Sequence, residues 1–324
     1  MLMCEQKNLM VVLFMRYAII SDVHGNIFAL NAVLEDARAQ GVDKFLLLGD
    51  YANSFPWGDE VTEVIRGLEN TVVIRGNGEG YYINLEKTQP VEYAYEQFKP
   101  VYWAHRILSR ESLEYLMELP ETAFVSDGDC SIYLNHALSV FFRSPRIELF
   151  HSRNRNRIMN ESPFSHEEYL IRAKAELLDC PGAVADILAL PEGIHLFGHN
   201  HMQFHMQYEG RLFINPGSCG EPLDWNPSAA YTILICDGGV HTVEERRVEY
   251  DLSVAAEALI ASEFTAYSPV WSEIMHRELL EGKDYFAQII SHILETGKKM
   301  GQAEYAPNNE IWQAAVDTWD INKA

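Results

Sequence analysis

The stretch Tyr17–Asn26, YAIISDVHGN, constrains this chain more than any other. Tyr17, Ala18, Ile19 and Ile20 form a short apolar run that reads as a buried strand. It gives way to Asp22-Val23-His24 and then, after Gly25-Asn26, to a helical pattern. A carboxylate and an imidazole two residues apart, in the turn after a strand, converge on one point. That point lies where open α/β sheets place their ligands. One Asp-x-His is a weak signal, but later strand ends repeat its chemistry.

Ile27, Leu30, Val33, Leu34 and Ala37 recur at helical spacing, with Gly41 placed to end the helix. Lys44–Leu48 is a second buried strand ending in Gly49-Asp50, and Thr71–Ile74 a third running into Arg75-Gly76-Asn77. A helix over Asp59–Leu68 separates them. This alternation requires parallel strands with right-handed crossovers. Residues 91–118 read as one or two outer helices. Hairpin signals follow: Thr122–Val125 with Ser131–Asn135 across Asp127-Gly128-Asp129, Gln203–Tyr208 with Arg211–Asn215 across Glu209-Gly210, and Ala230–Cys236 with Val240–Val248 across Asp237-Gly238-Gly239. The expected fold is mixed α/β (α+β), with two sheets face to face and helices outside, a four-layer α-β-β-α sandwich.

From Asp251 the chain is helical again, with Trp271, Trp312 and Trp319 in amphipathic repeats and breaks near Pro269, Gly282 and Pro307. The expected division is an N-terminal extension over 1–15, with Met15 as the natural start, a main domain over 16–250 and a helical C-terminal region over 251–324. Three roles are open for that tail: capping the core, forming a homodimer contact, or covering the site.

The charge balance, 25 − 47 = −22, repels phosphate backbones and argues against duplex nucleic acid as a partner. It leaves small anionic substrates open, because a bound cation dominates its own site. Five scattered cysteines (Cys4, Cys130, Cys180, Cys219, Cys236) with no C-x-x-C pair read as reduced thiols of a cytoplasmic protein. No apolar run approaches the ~20 residues needed to span a bilayer, so no membrane association is expected. Leu9–Met15 is short for a signal sequence and follows Glu5 and Lys7.

Potential ligands stand just after five apolar strands: Asp22 and His24, Asp50, Asn77, His136, and His199 and His201. Mixed carboxylate and imidazole donors suit first-row ions such as Mn, Fe, Zn, Co or Ni. Seven ligands exceed one tetrahedral ion and suit two divalent ions that share a carboxylate.

Asp22-x-His24, Gly49-Asp50, Gly76-Asn77, His136 and Gly198-His199-Asn200-His201 resemble, in order, the five-block signature of calcineurin-like metallophosphoesterases. Asn215-Pro216-Gly217-Ser218 further resembles the small bacterial and archaeal phosphodiesterase branch, and the likeness covers roughly residues 16–250. The resemblance implies the metallophosphoesterase sandwich, with Asp22, His24 and His201 on a first metal, Asp50 bridging, and Asn77, His136 and His199 on a second. Asp50, Asn77 and His136 are the candidate catalytic residues. It also implies a metal-dependent phosphoesterase of small phosphodiester, nucleotide or dinucleoside polyphosphate substrates, acting through a metal-bridging hydroxide. The alternatives are a non-catalytic scaffold on the same fold, as in the retromer subunit, and a phosphomonoesterase or protein phosphatase.

The chain departs from that family in three places. Gly78 stands where the family carries a histidine that protonates the leaving group; Glu79, His205 and His151 are candidate replacements. Ala137 replaces a common glycine. Tyr51–Trp57 stands where protein Ser/Thr phosphatases continue Asp-Arg-Gly.

Asn26 reads equally as a helix N-cap and as a contact to phosphoryl oxygens. Arg143, Arg146, Arg153, Arg155 and Arg157, opposed only by Glu148, form a basic island. Arg153, Arg155 and Arg157 are its candidate substrate contacts, since a guanidinium fork suits phosphate. Cys219 has no base placed with it and reads as structural. His105, His166, His241, His276 and His292 read as ordinary.

Overall fold

The structure is a computed structural model that describes residues 14–88, 94–128, 130–137, 180–302 and 308–323, together with single positions between 165 and 179. The arginine island and His151 lie outside the described residues, as do positions 1–13.

In the first half strands alternate with helices: β1 (Met15–Ile20), α1 (Ile27–Ala39), β2 (Lys44–Leu47), α2 (Gly58–Arg66), β3 (Thr71–Val73) and α3 (Asn77–Thr88). Then come α4 (Lys99–Ile107) and α5 (Arg110–Glu118). The second half is β4 (Thr122–Asp127), β5 (Cys130–Asn135), α6 (Pro181–Ala189), β6 (Gly193–Leu196), β7 (Gln203–Tyr208), β8 (Arg211–Pro216), β9 (Ala229–Asp237) and β10 (Val240–Val248). Two five-stranded mixed sheets result, ordered β10-β9-β1-β2-β3 and β4-β5-β6-β8-β7. β1, β2 and β3 are parallel in the first sheet, and β5, β6 and β8 in the second.

Residue alternation explains why β1 from Tyr17 to Ile20 and β2 from Phe45 to Leu47 are apolar at every position. Tyr17, Ile19, Leu46 and Leu48 face the second sheet, where Ile132, Leu134, Ile194, Leu196 and Ile214 meet them. Ala18, Ile20, Phe45 and Leu47 face the other way, onto Ala29, Leu30, Val33 and Leu34 of α1. Both faces of these two runs are buried, so no polar residue interrupts them. On the far side of the second sheet, Arg211 donates to the carbonyls of Leu188 and Leu190, tying the end of α6 to β8.

The chain after residue 250 forms α7 (Leu252–Ala261), α8 (Glu263–Tyr267), α9 (Pro269–Glu281), α10 (Tyr285–Lys299) and α11 (Asn309–Thr318). Their apolar faces make a separate core around Trp271, Trp312, Leu259 and Ile289, which also takes in Phe55 and Trp103 of the preceding chain. The tail therefore caps the loop that follows β2. Proline opens α9 and Gly282 closes it, as the sequence breaks imply.

The cysteine expectation needs correction. Cys219 is a free, buried thiol, but Cys130 of β5 and Cys236 of β9 form a disulfide between the two sheets. Their separation of 106 residues hides the pairing from any reading of local spacing.

Candidate metal centre

Every parallel strand of both sheets ends on the same side of the sandwich, and the ligand candidates gather there. The turn after β1 lies along the turn after β2: Asp22 N–H donates to Gly49 O, His24 N–H to Asp50 O and Gly25 N–H to Tyr51 O. Across the sheets, Gly198 N–H donates to His136 O, and His199 N–H to Asp22 Oδ2 at 3.0 Å. Asp22, His24, Asp50, His199 and His201 all have positive φ, between 52° and 68°. That backbone region is costly for non-glycine residues, and its concentration here marks a functional site.

Two groups form. Asp22, His24 and His201 offer ligand atoms within 4.8 Å of one another, and so do Asp50, His136 and His199. In the first, His24 Nε2 lies 3.1 Å from His201 Nε2, and Asp22 Oδ1 lies 3.7 Å and 3.4 Å from these nitrogens. In the second, His136 Nε2 lies 3.5 Å from Asp50 Oδ2 and 3.1 Å from Asn77 Oδ1. Asp50 Oδ2 also lies 3.9 Å from His24 Nε2, so this carboxylate stands between the groups.

The donors fit a cation. His201 Nδ1 is 2.7 Å from Glu221 O, and His136 Nδ1 is 2.8 Å from Leu48 O. A carbonyl only accepts, so each Nδ1 carries a proton, and the neutral ring presents a lone pair at Nε2. Those lone pairs face other acceptors: a carboxylate, an amide oxygen or a second imidazole. Asp22 is fully buried and its Oδ1 has no hydrogen-bond partner. Acceptors facing acceptors in a buried pocket call for positive charge between them.

The electrostatics agree. Burial opposes charging of His24, yet Glu221, Asp22 and Asp50 outweigh it and push the imidazole up to about 9. His136 rises to about 10, because Asp50 and Asp22 outweigh burial. Burial opposes ionisation of Asp50 too, but His136 and His24 hold it at about 2. The same contest, with His201 the main partner, holds Asp22 well below the carboxylate range. The pocket is made for cations, whether protons or metal.

Glycine lets the segments approach this closely. A Cβ on Gly76 would collide with the side chain and backbone nitrogen of Asp50. The Asn-Pro-Gly-Ser segment buttresses the first turn: Ser218 Oγ–H donates to Asp22 O at 2.6 Å, Cys219 N–H to Ser21 O and Gly220 N–H to Asp22 O. Cys219 is buried, which pushes its thiol up, in keeping with a structural role.

Other candidates stand elsewhere. Asn26 is a fully buried N-cap: its Oδ1 accepts from Ala29 N–H, and its amide donates to Gly220 O and Tyr250 Oη. The expected substrate contact at Asn26 does not fit that geometry. Glu79 is buried and accepts from Asp50 N–H, Gly76 N–H and Tyr51 N–H, a capping box that also fixes the Asp50 turn. It is engaged with backbone and not aimed at a leaving group. His205 pairs with Glu245 at 2.7 Å. Sequence reasoning missed the structural use of Glu79, which Gly76-x-x-Glu79 signals, and missed Glu221, which no motif signals.

Residues 15–239 match the calcineurin-like phosphoesterase superfamily domain. The chain belongs to this superfamily. It is 28% identical over 258 residues to the uncharacterized protein MJ0912 of Methanocaldococcus jannaschii, covering 75% of this chain and 91% of the relative. It is similar in structure to a metallophosphoesterase from Sphaerobacter thermophilus, with a TM-score of 0.58 and 25% identity over 83% of this chain and 100% of that one. The hypothetical protein PH1004 of Pyrococcus horikoshii shares the fold, with a TM-score of 0.57 and 19% identity over 83% of this chain and 98% of that one. The chain is thus a phosphoesterase-superfamily protein whose His/Asp clusters fit metal ions. Among the described residues no helix is long and apolar enough to cross a membrane.

Proposed function

We propose that this chain is a cytoplasmic hydrolase with two divalent transition ions (Mn, Fe, Zn, Ni or Co), acting on phosphodiester or nucleotide and dinucleoside polyphosphate bonds. The observation that supports this best is the position of Asp50 Oδ2, 3.9 Å from His24 Nε2 on one side and 3.5 Å from His136 Nε2 on the other. Asp22, His24 and His201 would hold one ion, Asn77, His136 and His199 the other, with Asp50 shared. Bound ions supply charge neutralisation on the phosphoryl oxygens and hydroxide at neutral pH.

The chain's own residues do the rest. The carbonyls of Leu48 and Glu221 hold the protons of His136 and His201 on Nδ1, which keeps each Nε2 aimed inward. Asp22 divides its carboxylate, Oδ2 for the backbone of His199 and Oδ1 for the site. Gly78 contributes no proton donor, and its N–H is spent on Asp50 Oδ1 at 2.6 Å. Substrates whose leaving groups depart without protonation, nucleotides and aryl phosphates, therefore suit this site best. All seven ligand positions keep competent side chains, which argues against a scaffold that has lost its chemistry.

The test is a substrate panel on protein reconstituted with Mn or Ni. Bis-aryl phosphodiesters and dinucleoside polyphosphates should be cleaved, and dialkyl diesters far more slowly. No turnover of either favoured class with any first-row ion would refute the proposal.

A further inference from the structure

We propose that Cys130, Cys236 and His241 form a second, thiolate-containing metal site of the zinc type, open only when the Cys130–Cys236 disulfide is reduced. Their two sulfurs and one imidazole nitrogen lie within 4.8 Å of one another. Cys236 and His241 are directly opposed on the antiparallel pair β9–β10, so both side chains lie on the same face. That face looks toward the second sheet, because Cys236, Leu234 and Val243 join Cys130 in the core between the sheets. His241 Nε2 is a buried atom with no hydrogen-bond partner. A buried, unpartnered ring nitrogen is costly, and an imidazole with a nitrogen this close to two sulfurs is well placed as a ligand.

The site is separate from the phosphoesterase centre. Cys130 begins β5 and His136 follows its end, so the two lie roughly 20 Å apart at the usual strand rise. Two thiolates and one imidazole are softer donors than the carboxylate-rich centre and select zinc-like ions over harder ones. Zn–S and Zn–N bonds of about 2.3 Å and 2.0 Å need the sulfurs to part by a side-chain rotation. With three protein ligands among the described residues, a water would complete the tetrahedron.

The chemistry balances in two steps. A small dithiol transfers two electrons and two protons to the disulfide, giving two cysteine thiols and the cyclic disulfide of the reductant. A divalent ion then replaces both thiol protons, forming two metal–sulfur bonds and releasing two protons. Disulfide and metal are mutually exclusive.

Cobalt(II) is the probe, because thiolate coordination gives it a near-ultraviolet charge-transfer band that carboxylate and imidazole do not. Chelator-stripped full-length protein is titrated with Co(II), either oxidised or reduced by a dithiol under anaerobic conditions. The reduced protein should take up one more Co(II) per chain than the oxidised protein and show the band. His241→Ala should weaken that uptake by at least about 10-fold, and Cys130→Ser should abolish the band while hydrolysis by the main centre persists. If Cys130→Ser fails to fold, the oxidised wild type is the same comparison in an unchanged sequence. Equal Co(II) uptake by the oxidised and reduced proteins, or a band unaffected by His241→Ala, overturns the proposal.

Discussion

Asp50 Oδ2 and His136 Nε2 lie 3.5 Å apart, although Asp50 follows β2 of one sheet and His136 follows β5 of the other. The contact exists because the parallel strands of the two sheets, β1-β2-β3 and β5-β6-β8, end on the same side of the sandwich. What holds these turns is also what makes them testable.

Glu221 grips two imidazoles. Its carbonyl faces His201 Nδ1 at 2.7 Å, and its carboxylate lies 3.7 Å from His24 Nδ1, with Ser54 Oγ 3.4 Å from both. Such partners orient metal-binding histidines, and their loss costs about 10–100-fold in metal affinity. Glu221→Gln should show that loss in competition with a chromophoric chelator, with its circular dichroism unchanged. Wild-type affinity would show that the carboxylate is not needed to hold His24.

Glu79 satisfies three backbone N–H groups around the Asp50 turn. Glu79→Ala leaves the buried N–H groups of Asp50 and Tyr51 unpaired, at about 1–3 kcal/mol each, so at least about 2 kcal/mol of stability should go. Urea unfolding measures it. A loss below about 1 kcal/mol would mean that water replaces the carboxylate.

Gly220 lies against the Asp22–His24 turn, where a Cβ would press on Val23 O and come within 2.8 Å of Asn26 Cβ. Most of that obstacle is backbone, so the supporting segment must lift away. Gly220→Ala should cost about 1–3 kcal/mol in thermal unfolding and deplete metal together with it. Full metal content would contradict the buttress role.

Glu278 of α9 carries the clearest pH dependence. Burial pushes its carboxyl well above the ordinary value of 4.5, Glu221 and Asp284 add to the shift, and the N–H groups of Phe286 and Tyr285 oppose it. The folded chain then holds a proton that the unfolded chain releases, so this group's contribution to stability falls as pH rises above 4.5. Glu278→Gln keeps an oxygen for the Phe286 N–H, 2.6 Å away in the wild type, and cannot ionise. Its Tm should match the wild type near pH 4 and exceed it increasingly toward pH 8. A constant Tm difference across that range would show that Glu278 binds its proton equally well in the folded and unfolded chains.

Much of this architecture was legible in the sequence because its signals are local. An apolar run meeting a carboxylate or imidazole marks where a parallel strand stops, and Asp22, Asp50, Asn77, His136 and His201 all follow that rule. The hairpins at Glu209-Gly210 and Asp237-Gly238-Gly239 were legible from their turn residues. What escaped depends on contacts between distant segments. Cys130 meets Cys236 only because the sheets stack, and Glu221 reaches His24 only because the Asn215–Ser218 segment folds under the first turn. Asn26 was ambiguous because capping and phosphate contact ask for the same residue at a helix start. Its burial beneath Tyr250 Oη and Gly220 O favours the cap.

The most direct measurement is elemental analysis of reconstituted wild-type and Asp50→Asn protein, with the Cys130–Cys236 disulfide kept oxidised. Close to two transition ions per wild-type chain are expected, and Asp50→Asn should lose metal and hydrolysis together. A wild-type chain that binds no metal, or an Asp50→Asn protein that keeps both ions and full activity, would contradict a centre built on a shared Asp50.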